Sequence, residues 1–301
     1  MRQRYFSITV FLYAVLAACF QEVAHAASYE MADTRMHVMQ NAKTRNQHYM
    51  LYVQLPQGYE DLENRHKHYP VIYLLDPYWD FPVVAGARSG LVFDGIVPEY
   101  IVVGIGYSTQ GKAEEGDVVN KLRQIDYTPV QDTVDLNTGD AAAFMSFIKS
   151  GVMPFVEDSY RIADYRVFAG TSFGGLFSLY LMFENPGMFQ GHIAITPAVG
   201  RFHRWAFVRE SQFYGADTVD EPEFAERALP TRLYISVGSN DQIGNFTRES
   251  IAFSELLAGR NYEGLDFKFE IKQNEHHASV KLASFGQALK HAFGGYKERK
   301  Y

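Results

Sequence analysis

Arg166-Val167-Phe168-Ala169 runs into Gly170-Thr171-Ser172-Phe173-Gly174, and Gly175-Leu176-Phe177 opens an apolar stretch that ends at Phe183. The first four residues read as a buried strand and Phe173–Glu184 as a helix. Between them stands a G-x-S-x-G motif. A serine placed where a strand turns sharply into a helix is held exposed in a strained conformation, the setting of a nucleophile elbow. Glycines two residues either side of Ser172 are expected to let strand and helix approach, with Gly175 a further small residue at the crossing.

Outward from the elbow, apolar runs recur. Val71–Leu75, Tyr100–Ile105, His192–Ile195, Leu233–Val237 and Phe267–Lys272 read as strands, the most continuous of them buried on both faces. Arg35–Asn41 and His48–Gln54 read as a leading hairpin. Helical stretches lie between: Asp140–Tyr160, Arg248–Leu257 and Val280–Phe293. Alternating strands and helices predict an α/β fold with a mostly parallel, doubly wound sheet and helices on both faces. Phe202–Leu229 is longer than a strand-to-strand connection requires, and an insertion there is expected to cover a site.

The chain has 301 residues, 47% hydrophobic and 21% charged, which suits one globular α/β domain. Its net charge of −7 and the absence of a basic run argue against nucleic-acid binding. One cysteine, Cys19, excludes an internal disulfide framework and any Cys-based zinc or redox site. Arg2 and Arg4 precede the apolar stretch Tyr5–Phe20, which is shorter than the ~20 residues of a spanning helix. Residues 1–26 therefore read as an export signal, leaving one domain over 27–301. Ala24-His25-Ala26 permits cleavage before Ala27. Leu16-Ala17-Ala18-Cys19 has the form of a lipoprotein box that would lipidate Cys19. The expected location is periplasmic or secreted. Membrane attachment is expected only through that lipid or an uncleaved signal anchor.

A serine hydroxyl needs a base, and in this fold the order is nucleophile, acid, histidine. His276 and His277 lie between the last strand and the last helix, in a loop expected at the top of the sheet. His277, directly before Ala278-Ser279-Val280, is the candidate base. Asp241 follows the strand Leu233–Val237 and is the candidate to orient it, with Glu249 and Asp266 as alternatives. The N–H of Phe173 is one expected oxyanion donor. The other is expected from the loop Asp76-Pro77-Tyr78-Trp79-Asp80-Phe81. Pro77 has no N–H, which leaves Tyr78 as the candidate. Trp79 and Trp205 are candidates to line a substrate pocket, against the alternative that aromatics fill the core. This chemistry requires neither cofactor nor metal. His66-Lys67-His68 lacks a third ligand nearby. A dinucleotide reading of Gly104-Ile105-Gly106 fails because Thr109 replaces the third glycine.

Assembled in order, these residues resemble the "putative esterase" family of α/β-hydrolases, which includes esterase D, enterochelin-type siderophore esterases and mycolyl transferases. The resemblance runs from about residue 35 to 295. Besides the elbow it is carried by Tyr73-Leu74-Leu75-Asp76, Arg123 with Asp126-Tyr127-Thr128-Pro129, Thr196-Pro197, Val237-Gly238-Ser239-Asn240-Asp241 and His277-Ala278-Ser279-Val280. It implies an α/β-hydrolase fold, with Ser172 as nucleophile, Asp241 as acid and His277 as base. The family often has Gly where this chain has Pro77. It often has Glu where this chain has Asp241, one methylene shorter, so a compensating loop shift is expected. The implied activity is serine-dependent cleavage of a small-molecule carboxylic ester, of siderophore or aryl type. Acyl transfer to a hydroxyl is the alternative with the same residues, and a non-catalytic binding scaffold a third reading.

Overall fold

A computed structural model describes residues 30–41, 47–108, 115–215 and 228–297. Contacts divide the chain into Met1–Ala32 and Asp33–Tyr301. The expected export signal, Cys19 and both cleavage sites lie outside the described residues, as does the 216–227 part of the expected cover. Among the described residues no helix is long and apolar enough to cross a membrane.

Among the described residues eight strands form one sheet: β1 (Thr34–Asn41), β2 (Gln47–Gln54), β3 (Tyr69–Leu75), β4 (Ile101–Tyr107), β5 (Ile162–Thr171), β6 (Gly191–Ile195), β7 (Arg232–Gly238) and β8 (Asp266–Lys272). Their order is β1-β2-β4-β3-β5-β6-β7-β8. The hairpin β1–β2 and the β2–β4 pair are antiparallel, and every later pair is parallel. The continuous apolar runs became the inner strands. All seven residues of β3 and of β4 are buried, whereas edge strand β8 is only partly covered. Two apolar clusters share one face of the sheet. One holds Val71, Tyr73, Val103, Phe168 and Phe177, the other Leu176, Leu233, Ile235 and Phe253.

The helices are α1 (Pro77–Phe93), α2 (Glu115–Asp126), α3 (Ala141–Phe147), α4 (Met153–Ser159), α5 (Phe173–Glu184), α6 (Trp205–Tyr214), α7 (Phe246–Ala258) and α8 (Val280–Phe293). The helix expected over Asp140–Tyr160 is interrupted by a π-turn, Ile148–Val152, just ahead of Pro154, which has no N–H to donate backward. The expected loop Asp76–Phe81 requires correction. Only Asp76 turns, at φ 51°, and α1 starts at Pro77. Proline's fixed φ suits the first helical position, so Pro77 begins the helix. Helices α2 and α6 add to those expected.

Candidate active site

Ser172, Asp241 and His277 each follow the C-terminal end of a parallel strand, β5, β7 and β8 in turn, where α/β sheets hold their ligands. Ser172 has φ 60° and ψ −117°, a conformation that L-residues rarely adopt. Its N–H donates to Ile195 O at 2.9 Å, and its carbonyl accepts from Leu176 N at 3.0 Å and Ala198 N at 3.1 Å. The nucleophile candidate is thus anchored to its own helix and to the segment leaving β6.

The glycine requirement at the elbow is only partly as expected. A Cβ on Gly170 would stand 2.3 Å from the Gly174 carbonyl oxygen. One on Gly175 would stand 3.1 Å from Pro197 Cα. One on Gly174 would meet nothing closer than the Leu75 side chain at 3.5 Å. Close approach therefore demands Gly170 and restricts Gly175, while Gly174 has room.

His277 Nδ1 lies 2.8 Å from Asp241 Oδ2. The Asp241 side chain is fully buried and that of His277 is 22% exposed. The Phe246 ring, 4.7 Å away between centroids, covers the imidazole. Ile243 N–H reaches Asp241 Oδ1 at 3.3 Å, and the Thr196 hydroxyl donates to Oδ2. The Thr247 hydroxyl closes the loop on the carbonyls of Gly238 (2.8 Å) and Asp241 (3.0 Å). The shorter aspartate reaches its histidine directly. His276, by contrast, is tied through its backbone N–H to the Ser279 hydroxyl. Glu249 faces Arg204 at 3.1 Å and Asp266 faces Arg232 at 2.8 Å, so neither alternative acid is bonded to His277.

Phe173 N–H is in the first turn of α5, where helical amides lack an intrahelical acceptor. Tyr78 is the second residue of α1. Its hydroxyl accepts from Tyr107 N–H at 2.5 Å and donates to Tyr107 O, which ties α1 to the end of β4. Asp76, just before α1, accepts a two-pronged hydrogen bond from Arg123 at 3.0 and 2.6 Å. Burial opposes the Arg123 charge, but the charge and hydrogen bonds of Asp76 more than restore it, and the guanidinium is held above its ordinary value. Arg123 also stands 5.7 Å from the Trp79 ring and 5.8 Å from the Phe173 ring.

Trp79 is 46% exposed, and Lys281 Nζ stands 6.0 Å from its ring centre. Trp205 is half-buried at the start of α6. Its ring lies 5.2 Å from that of Tyr180 and packs against both core clusters. Before it, Phe202, His203 and Arg204 are all left-handed, at φ 55°, 54° and 56°. Such a run is costly for L-residues. It is braced by the Arg204–Glu249 ion pair and by the buried Phe202 ring, 5.8 Å from that of Phe173.

One cluster escaped the sequence reading. Fully buried Asp80 accepts from the Thr171 hydroxyl at 2.7 Å and from Lys281 Nζ at 2.6 Å. It ties α1 to the residue before Ser172 and to the first turn of α8. Burial raises the Asp80 carboxyl above its ordinary value, and Lys281 opposes the shift. The only sequence signal was an acid within an apolar, aromatic stretch.

The strand order, the elbow and the buried acid–histidine pair define a hydrolase of the α/β type. The chain belongs to the "Putative esterase" family, whose match covers residues 42–293, a family of carboxylic ester hydrolases. It is 27% identical over 240 residues to the ferri-bacillibactin esterase BesA of Bacillus subtilis, covering 74% of this chain and 78% of that one. It is also 27% identical over 158 residues to the siderophore triacetylfusarinine C esterase of Aspergillus fumigatus. That match covers 52% of this chain and about half, 53%, of the fungal enzyme. Among solved structures, a BES protein from Bacillus cereus superposes with a TM-score of 0.75 at 25% identity, covering 92% of this chain and 100% of the other. The siderophore hydrolase EstB of Aspergillus nidulans shares the fold at the same TM-score and 21% identity, over 91% of this chain and 100% of that one.

Proposed function

We propose that the protein is an exported serine esterase that hydrolyses a siderophore-type ester. Ser172 is the nucleophile, His277 the base and Asp241 the group that orients it. The observation that carries this reading is the 2.8 Å contact of His277 Nδ1 with buried Asp241, at the sheet end where Ser172 stands on its elbow. With Nδ1 engaged, Nε2 is the nitrogen left to take the serine proton. Ser172 Oγ attacks the ester carbonyl as its proton passes to Nε2. The oxyanion receives the N–H of Phe173 and, from the start of α1, that of Tyr78. Collapse breaks the ester C–O bond, and the leaving alcohol takes the proton from His277. Water then repeats the sequence on the acyl-enzyme, releasing the acid and regenerating Ser172.

The siderophore class is supported by the named activities of the two esterase relatives and by the exposed Trp79 ring beside Arg123 and Lys281. An exposed indole suits stacking on an aromatic chelate. Trp205 is assigned to its other wall.

The test is a panel of catecholate and hydroxamate siderophore esters, aryl esters and short acyl esters, run beside Ser172→Ala. Siderophore esters are expected to turn over fastest. The variant is expected to lose roughly 10⁴-fold or more in kcat with its fold intact. Turnover by Ser172→Ala equal to that of the wild type would falsify the nucleophile. Export is tested by mass spectrometry of the native protein. A chain starting at Ala27, or a lipid on Cys19, is the expected result; an intact Met1–Ala26 segment on a cytosolic protein overturns it.

A further inference from the structure

We infer that Thr196 is a positioning residue that holds the Asp241 carboxylate in the rotamer that presents His277 to the elbow; this rests on the roles of Ser172, Asp241 and His277 proposed above. Thr196 directly follows β6, and its hydroxyl donates to Asp241 Oδ2, the oxygen that also faces His277 Nδ1. Its neighbours are fastened to the nucleophile candidate. Ile195 O accepts from Ser172 N–H at 2.9 Å, and Ala198 N–H donates to Ser172 O at 3.1 Å. The four-residue segment 195–198 therefore links the Ser172 backbone to the Asp241 side chain.

The backbone at Thr196 argues that the hydroxyl is the reason for the residue. Its φ is 42°. A β-branched side chain disfavours that conformation, and a following proline biases its predecessor toward extended backbone. Glycine or asparagine would fit at less cost. Strain of this kind persists where the surrounding structure enforces it, and here the Thr196 N–H is pinned to Ser236 O at 2.6 Å. Thr196 is fully buried, as is the carboxylate it touches. Oδ1 has a single long contact, Ile243 N–H at 3.3 Å. Without the hydroxyl, Oδ2 would keep only His277, and the carboxylate could rotate about its Cβ–Cγ bond.

The experiment compares Thr196→Ser with Thr196→Ala, which differ by one hydroxyl, and adds Thr196→Val, which keeps the volume in case the alanine variant does not fold. Kinetics on the best ester of the panel, thermal melts and the low-field proton NMR signal of His277 Nδ1–H are recorded for each. The serine variant is expected to stay within roughly threefold of wild-type kcat. The folded hydroxyl-free variants are expected to lose roughly tenfold to a hundredfold in kcat at unchanged KM, the range of a hydrogen bond to a charged group. Their Nδ1–H signal is expected to shift or broaden, and the serine variant to restore it. Wild-type kcat in a hydroxyl-free variant, a serine variant as impaired as the others, or an unmoved NMR signal overturns the inference. If Ser172→Ala is inactive while Thr196→Ala is not, this inference alone fails. If Ser172→Ala remains active, the underlying site assignment fails first.

Discussion

At Ser172 the chain turns from strand to helix within one residue, at φ 60°, and the cost of that turn is spread over its neighbours. Gly170 faces the backbone of Gly174, so Gly170→Ala has no flexible side chain to displace. It is expected to destabilise the protein by about 3 kcal/mol or more, as overpacking against backbone does. Gly174→Ala meets only ordinary contacts and is expected to change stability by less than about 1 kcal/mol, since alanine is the better helix former. Urea unfolding of the two variants checks the contrast, and an equal loss in both would remove the steric account. The two tryptophans separate at the same scale. Trp79→Ala leaves the core untouched and is expected to raise KM for aromatic esters with little change in Tm. Trp205→Ala removes a ring packed on Tyr180 and both clusters, and is expected to cost about 3 kcal/mol of stability.

Between elements, the buried Asp76–Arg123 pair joins the start of α1 to α2 beside the expected oxyanion donors. Breaking a buried pair leaves one charge without its partner, which typically costs about 3–5 kcal/mol. Arg123→Met alone is therefore expected to destabilise strongly. Asp76→Asn with Arg123→Met should recover a large part of that loss, because no unpaired charge remains. A double-mutant cycle by thermal unfolding reads the coupling, and strictly additive losses would mean that the two side chains do not depend on each other. The Asp80–Thr171–Lys281 cluster does the same work on the other flank, joining α1, β5 and α8.

For the whole molecule, acid sensitivity follows from the centre of the sheet. His192 is buried in β6 against Ser178 and Phe189, and burial lowers its pKa to about 3 from an ordinary 6.5. Well above pH 6.5 the residue is neutral folded or unfolded and adds nothing to the pH dependence of stability. As pH falls from 6.5 toward 3, the unfolded chain takes up a proton that the folded protein refuses, so stability declines. The slope approaches about 1.4 kcal/mol per pH unit. His192→Gln is expected to flatten the fall of the urea midpoint between pH 6 and pH 4, whatever its effect at neutral pH. An unchanged slope would assign the acid sensitivity to other groups.

What could be read along the chain was whatever is encoded locally. Continuous apolar runs specified the strands buried on both faces, because a central parallel strand has no polar side to show. The elbow was legible because its strand, glycines, serine and helix are consecutive. Asp241 and His277 were legible because chain order and the strand-to-helix loops bring both to one end of the sheet. Contacts between distant residues were not legible. Asp80 meets Lys281 across 201 positions, and Thr196 meets Asp241 across 45. A side chain's residue type does not say which buried partner will satisfy it. Residue type is a poor guide at Pro77, which favours a loop yet opens α1, and at Gly174, whose neighbours leave room for a Cβ. The sequence by itself determined the sheet, the order of its strands' chemistry and the candidate residues. Only the tertiary structure decided which polar groups pair inside the protein, because burial removes water as the alternative partner and the fold alone chooses what replaces it.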